Sequence, residues 1–258
     1  MERALTTDES IEELTKLYLQ EQDERRRWES LVGVAAHELR HPLHLMRLAL
    51  ARYFPRGDER GREVMERYVD RMSRVVSDLA DLIRLDRDEL PLQLSWIDIA
   101  QMLREVVDAY VADAATRRVK LTLDGVVTPR WLKADEQRLL QVLSNVLDNA
   151  LKFTPVGGTV LVKLTGDSQA VEINVRDTGR GISPDALPHV FDLFEGAATS
   201  PGLGIGLTVA KRIVELHKGS IAVRSDGIDC GTEVAITLPA EVASIALVAR
   251  KLFSSART

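Results

Sequence analysis

Apolar residues recur at helical spacing through the first third of the chain. The pattern predicts helix over residues 11–54, interrupted at Pro42, and a second helix after the turn-like stretch FPRGDERG. In this second helix the apolar positions alternate at spacings of four and three: Met65, Val69, Met72, Val76, Leu79 and Ile83. A similar seam (Leu39, Leu43, Met46, Leu50) in the first helix favours an antiparallel hairpin. Because one hairpin leaves apolar surface exposed, we expect two to pair as a homodimeric four-helix bundle.

After Pro91 the pattern changes to strand-like runs interleaved with helices. The strand-like runs are VKLTL, TVLVKL, AVEINVRD, SIAVRS and TEVAITLP, and the predicted helices cover residues 99–115, 135–152 and 205–217. This predicts an α+β sandwich with helices on one face of a mixed sheet. The chain is thus expected to consist of an N-terminal helix or linker (1–29), a helical hairpin (30–90), an α/β sandwich (91–240) and a tail (241–258).

Composition narrows the classes of partner. A net charge of −5 and a pI of about 5.6 argue against a nucleic-acid binder. Cys230 is the only cysteine, which excludes an internal disulfide and a cysteine zinc cluster, and fits a reducing compartment. No apolar run approaches the roughly 18 residues that cross a bilayer. We therefore expect a cytoplasmic chain without a membrane span.

The stretch AHELRHPL contains a literal HExxH zinc-protease pattern. His37 and His41 would share one helix face, with Glu38 placed as general base. A third ligand would have to come from Glu59 or Glu63, at or beyond a predicted turn. Pro42 would also crowd a helix that a zinc site needs straight. These residues alone leave a zinc hydrolase and a helix built to bend both open.

The predicted α/β sandwich carries three clusters typical of nucleotide sites. In NVLDNALK, Asn145 and Asn149 lie one helical turn apart with Lys152 beyond; amide oxygens suit Mg²⁺ and the lysine suits phosphate.

In DTGRGI, Asp177 ends a strand and can accept a hydrogen bond from an exocyclic amine, while Gly179 and Gly181 let backbone approach a flat base. In GLGIGL, the residues Gly202, Gly204, Gly206 and Leu207 open a helix whose free N–H groups can bind an anion. Any cluster alone also has a structural interpretation as a turn, a helix start or helix-surface amides.

Together and in this order, the clusters resemble the sensor histidine kinases of two-component signalling, over about residues 30–239. AHELRHPL resembles the H box, NVLDNALKF the N box, DTGRGI the G1 box, FDLF the F box and GLGIGL the G2 box. The resemblance implies a dimerisation and phosphotransfer hairpin followed by a Bergerat-type ATP-binding domain. It implies these roles: His37 as phospho-acceptor with Glu38 beside it, Asn149 as Mg²⁺ ligand, Asn145 and Lys152 at the phosphates, Asp177 at the adenine amine, and residues 182–203 as a lid.

The implied activity is autophosphorylation of His37 from Mg-ATP and transfer to an aspartate of a response-regulator receiver domain. The alternatives are a zinc hydrolase that uses HELRH and a non-catalytic module that docks a regulator. A serine kinase of the anti-sigma type would lack the hairpin.

Three features depart from the family pattern. The lid sequence FEGAATSPGLG is short and lacks a basic residue after the F box. His41 stands where the family commonly has threonine or asparagine. No sensor domain is recognisable in the roughly 30 residues before the H box, so the signal is expected from a domain outside this chain or from a separate sensor partner.

Overall fold

The computed structural model describes residues 90–125, 129–167, 169–193 and 204–240, and single helical positions at 15, 16, 18, 19, 22, 43, 69, 72, 76, 77, 80 and 81. The chain divides into two units, Met1–Leu79 with Ala197–Leu203, and Ala80–Gly196 with Gly204–Thr258. All described residues from 80 onwards belong to the second unit, which contains the predicted α/β sandwich.

Three helices and seven strands build the described part of this unit. The helices are α1 (Ile99–Thr116), α2 (Glu136–Phe153) and α3 (Gly206–Leu216). The strands are β1 (Ser95–Asp98), β2 (Lys120–Asp124), β3 (Trp131–Ala134), β4 (Thr159–Gly166), β5 (Ala170–Asp177), β6 (Ser220–Arg224) and β7 (Thr232–Pro239). A turn of 3-10 helix covers Leu187–His189.

Five of the strands form one mixed sheet in the order β2-β4-β5-β7-β6. β2 runs parallel to β4, and every other neighbouring pair is antiparallel. The mixed sheet is therefore confirmed, and the predicted strands and helices agree with the observed bounds to within two residues. The antiparallel ribbon of β1 and β3 was not predicted, because two four-residue strands are too short to show a period of two.

The core lies between the sheet and the three helices. Alternate residues of β4 and β5 are buried, and their register aligns Val162 with Val175 and Leu164 with Ile173. From α2 an apolar stripe at helical spacing is buried against them: Leu139, Val142, Leu143, Val146, Leu147, Ala150 and Leu151. Period two on the strands and period 3.6 on the helix thus place both apolar faces in one core.

Aspartates define where the first two helices begin. Asp98 Oδ1 accepts a hydrogen bond from the Ala100 N–H at 3.0 Å, and Asp135 Oδ1 accepts one from the Arg138 N–H at 3.1 Å. Each cap satisfies a donor that the first helical turn leaves unpaired. The start of α2 is thereby fixed, which sets the position of the N-box residues further along the same helix.

The predicted helical hairpin falls almost entirely outside the described residues. Leu43, Val69, Met72 and Val76 are helical in the structure, as the seam requires. Among the helices that the structure describes, none combines the length and the apolar character that a bilayer crossing needs.

Candidate nucleotide-binding site

Asp177 is the last residue of β5 and continues the series of that strand's side chains that face the helices. It is only 7% exposed. Its Oδ1 accepts hydrogen bonds from the N–H groups of Gly179 at 2.7 Å and Thr232 at 3.2 Å. Burial raises the pKa of this carboxyl above its ordinary value of 3.8, and the two N–H donors oppose part of that rise. Because both bonds use Oδ1, Oδ2 is left for a ligand N–H.

The glycines after Asp177 are required by close backbone contacts. A Cβ on Gly179 would lie 2.6 Å from Asp177 Oδ1 and 2.6 Å from the carbonyl oxygen of Phe153. Gly181 has φ +65°, and a Cβ there would overlap the carbonyl oxygen of Gly227. Any side chain at either position would displace this loop from the end of α2 or from the turn that supports it.

That supporting turn joins β6 to β7 and was not predicted as part of the site. The Asp229 N–H donates to the carbonyl oxygen of Arg180 at 2.7 Å, and Ser225 Oγ accepts from the Ile182 N–H at 3.0 Å. The turn contains Gly227, Asp229 and Gly231, all at positive φ. These bonds extend the sheet pairing beyond Asp177 and hold the DTGRGI loop in place.

The two N-box amides lie on the C-terminal half of α2 in different surroundings. Asn145 Nδ2 donates to the carbonyl oxygen of Gly206 at 3.0 Å, which ties α2 to the start of α3. Asn149, one turn later and half-buried, has no hydrogen-bond partner among the residues described. Its side-chain oxygen is therefore available to a cation.

Two basic side chains gather on the aromatic ring that ends α2. Lys152 Nζ lies 4.7 Å from the centroid of the Phe153 ring, and Arg180 Cζ lies 4.2 Å from it. Cation–π contacts of this kind hold the positive groups near the end of the helix. Positive charge therefore lies beside the Asp177 loop, where anionic groups would bind.

α3 begins as an anion site should. Gly204 has φ +66° and leads into the buried Ile205, and no described side chain caps the first turn of the helix. Its first N–H groups are free to donate to a ligand. Thr208 Oγ1 donates to the carbonyl oxygen of Phe191 at 2.8 Å, so the first F-box residue is attached to the same turn.

A buried histidine joins the far ends of α2 and α3, and no sequence signal indicated it. His217 Nε2 accepts from the Asp135 N–H at 2.9 Å, so Nδ1 carries the proton that it donates to the carbonyl oxygen of Ile213 at 2.8 Å. The neutral ring therefore satisfies both of its nitrogens. Together with the bond between Asn145 and Gly206, this contact ties α2 to α3 at two places.

The structure thus brings the ends of α2 and β5 and the start of α3 to one edge of the domain, with Asn145, Asn149, Lys152, Asp177, Gly179, Gly181, Gly204, Gly206 and Leu207 on them. His37, Glu38 and Gly202 lie outside the described residues. A recessed carboxylate, nearby cations and a free helix N-terminus can hold a base at one end and phosphates at the other.

The fold and this site define a Bergerat-type ATP-binding domain, and residues 134–242 match the family described as "Histidine kinase-, DNA gyrase B-, and HSP90-like ATPase". Curated relatives narrow the class. The chain is 33% identical over 221 residues to sensor protein kinase PmrB of Pseudomonas aeruginosa, covering 81% of this chain and 45% of PmrB. It is 34% identical over 216 residues to sensor histidine kinase ZraS of Escherichia coli, covering 79% and 45%.

Solved structures agree with this relationship. ShkA, solved at full length in complex with AMPPNP, superposes with a TM-score of 0.63 at 28% identity, covering 83% of this chain and 46% of ShkA. Histidine kinase AdeS of Acinetobacter baumannii has a TM-score of 0.60 at 24% identity over 80% of this chain and 98% of AdeS, which shows a shared fold. The resemblance is confirmed: the chain is a relative of the two-component sensor histidine kinases, and it spans about half the length of the curated relatives it matches.

Proposed function

We propose that this chain is a histidine protein kinase that autophosphorylates His37 from Mg-ATP and passes the phosphoryl group to an aspartate of a response-regulator receiver domain. The observation that carries the proposal is the meeting of α2, β5 and α3 at one nucleotide site. It occurs in a chain that aligns over 81% of its length with a sensor kinase.

The site residues divide between base and phosphates. Asp177 Oδ2 accepts from the adenine amine, and the glycines after it let the base approach the backbone. Lys152 and the free N–H groups of α3 bind the phosphates. Asn145 contacts the phosphates while its amide keeps α3 attached to α2.

Mg²⁺ is proposed to bind at Asn149. The residue fits the cation because its amide oxygen has no competing partner among the described residues and because Mg²⁺ prefers oxygen ligands. Bound there, the cation would neutralise charge on the phosphates. The remaining chemistry belongs to residues of the chain.

Phosphoryl transfer then follows from positioning. A ring nitrogen of neutral His37 attacks the γ-phosphorus, an N–P bond forms, and the bond from phosphorus to the bridging oxygen breaks so that ADP leaves. Glu38 takes the proton from the other ring nitrogen. Both residues lie outside the described part of the chain, so these roles rest on their match to the H box.

The wider assignment concerns assembly and partners. Residues 30–90 are proposed to form the dimerisation and phosphotransfer hairpin, 91–240 the catalytic domain, 1–29 a signalling helix or linker and 241–258 a tail. Val69 and Val76, one heptad apart, are 47% and 54% exposed in the single chain, which supports burial of this seam in a homodimer. Because ATP is a cytoplasmic metabolite, the domain is proposed to act in the cytoplasm. Its input would come from a sensor region or partner.

The decisive experiment is incubation with γ-labelled ATP and Mg²⁺. We expect label that is lost in acid and survives base, as a phosphoramidate should, and no label in His37→Gln. His44→Gln, a nearby histidine without an H-box role, is the matched control and should label normally. Acid-stable label would indicate a serine or threonine kinase. Absence of label despite ATP binding would favour a docking module, and one tightly bound zinc per chain would revive the hydrolase.

A further inference from the structure

Asp81 is a buried carboxylate that the nucleotide site does not use. It is 2% exposed, the lowest value among the buried polar and charged residues described. Its Oδ2 accepts hydrogen bonds from Arg138 Nη1 and from Gln141 Nε2, both at 2.7 Å. Arg138 Nη1 also donates to Gln141 Oε1 at 2.9 Å, so the three side chains form a closed ring of hydrogen bonds on the first turns of α2.

The chain is attached to the domain a second time just before β1. The Gln93 N–H donates to Asp135 Oδ2 at 2.7 Å, at the residue that caps α2, and Leu90 is buried in the core. The residues between Asp81 and Leu90 therefore form a loop whose two ends are both attached to the ATP-binding domain. Only residues before Asp81 are left to act as a pivot.

We propose that Asp81 is a positioning residue that sets where the ATP-binding domain pivots during phosphoryl transfer to His37. With its carboxylate bound to α2, the pivot lies at about residue 80, and residues 82–89 do not act as a flexible linker. The boundary between the two units of the chain, after Leu79, falls at this point. The inference rests on the proposed function, because it concerns delivery of the γ-phosphate to a histidine in the preceding unit.

The contact is suited to this role because it is strong only when complete. A carboxylate bound by a guanidinium and an amide at 2.7 Å makes charge-assisted bonds, and removal of one partner leaves the other desolvated and unpaired. Released, the linker would grow from roughly two residues to roughly ten. Effective concentration falls as about the −3/2 power of linker length, which predicts a loss of about tenfold.

The test compares Asp81→Ala with the charge exchange Asp81→Arg plus Arg138→Asp. The matched control is Asp113→Asn, which removes a carboxylate from the exposed ion pair with Arg117. We expect Asp81→Ala to bind Mg-ATP with wild-type affinity, because the nucleotide site is at the other end of α2, and to label His37 about tenfold more slowly in a single turnover. The exchange should restore most of the rate, and the control should match wild type.

A second readout does not depend on the kinase reaction. Arg84 and Arg87 provide tryptic sites in the loop, and cleavage there, identified by mass spectrometry, should be faster in Asp81→Ala than in the control. A labelling rate in Asp81→Ala equal to or above wild type, or a parallel loss of ATP affinity, would overturn the inference while leaving the proposed kinase intact. If wild type itself takes up no label, the proposed function fails; the anchor then stands if cleavage is faster in the variant and falls if it is not.

Discussion

Replacement of Asp177 by asparagine isolates the one atom that we assign to adenine. The asparagine side chain has nearly the same shape, and its carbonyl oxygen can still accept from the N–H groups of Gly179 and Thr232. The group at the Oδ2 position becomes an NH₂. A donor then meets the adenine amine, which is also a donor, so the variant loses the base contact while it keeps the loop.

The size of the effect follows from the type of bond that is lost. A hydrogen bond to a charged acceptor contributes about 1.5–3 kcal/mol, which corresponds to a rise of roughly 10- to 150-fold in the Kd for ATP. The same amide can donate to a carbonyl oxygen, so binding of GTP should weaken less or improve. The ratio of GTP to ATP affinity is therefore expected to increase in Asp177→Asn.

Calorimetric titration of both nucleotides against wild type and Asp177→Asn measures both quantities. Asp192→Asn, which removes an exposed carboxylate paired with His189, serves as the control and should leave both affinities unchanged. An unchanged ATP affinity in Asp177→Asn, or an equal loss for both nucleotides, would show that this carboxylate does not read the adenine amine.

The same variant tests the electrostatics of the site. Burial raises the pKa of Asp177 above 3.8 in the folded protein, so the folded state holds the proton more tightly than the unfolded chain. Ionised Asp177 therefore costs stability at neutral pH. Urea unfolding at pH 7 should find Asp177→Asn at least as stable as wild type. That advantage should shrink as the pH falls through the raised pKa and vanish below 3.8; a less stable variant at pH 7 would contradict this sign.

Three further predictions test other parts of the molecule. His217→Phe leaves the buried N–H of Asp135 without an acceptor and should lower the free energy of unfolding by about 1–3 kcal/mol; an unchanged urea midpoint would show that the contact is dispensable. Asn149→Ala should remove the Mg²⁺ dependence of nucleotide binding in titrations with and without the cation, and undiminished dependence would place the ligand elsewhere. Aspartate at both Val69 and Val76 should dissociate the dimer in light scattering, whereas a persistent dimer would place the interface outside this seam.

Local patterns predicted most of the α/β domain and all of its motif clusters. Alternation at period two identified β4, β5 and β7, and period 3.6 identified α1, α2 and α3, because each element buries one face. Asp177, with its glycine-rich loop, and the opening of α3 are readable for a related reason. Conformational demands on glycine and the polar end of an apolar strand are properties of a few adjacent residues.

Contacts between residues distant in the chain were decided only by the tertiary structure. The bonds of Asn145 to Gly206 and of Asp135 to His217 each join a side chain to a backbone group 61 and 82 residues away. Such a bond needs one polar side chain and any free backbone group, so it leaves no spacing in the sequence. The turn between β6 and β7 supports the DTGRGI loop for the same reason, since sheet order brings them together. Asp81 looks like a solvated helix residue in sequence, and only the packing of the chain onto α2 makes it a buried anchor.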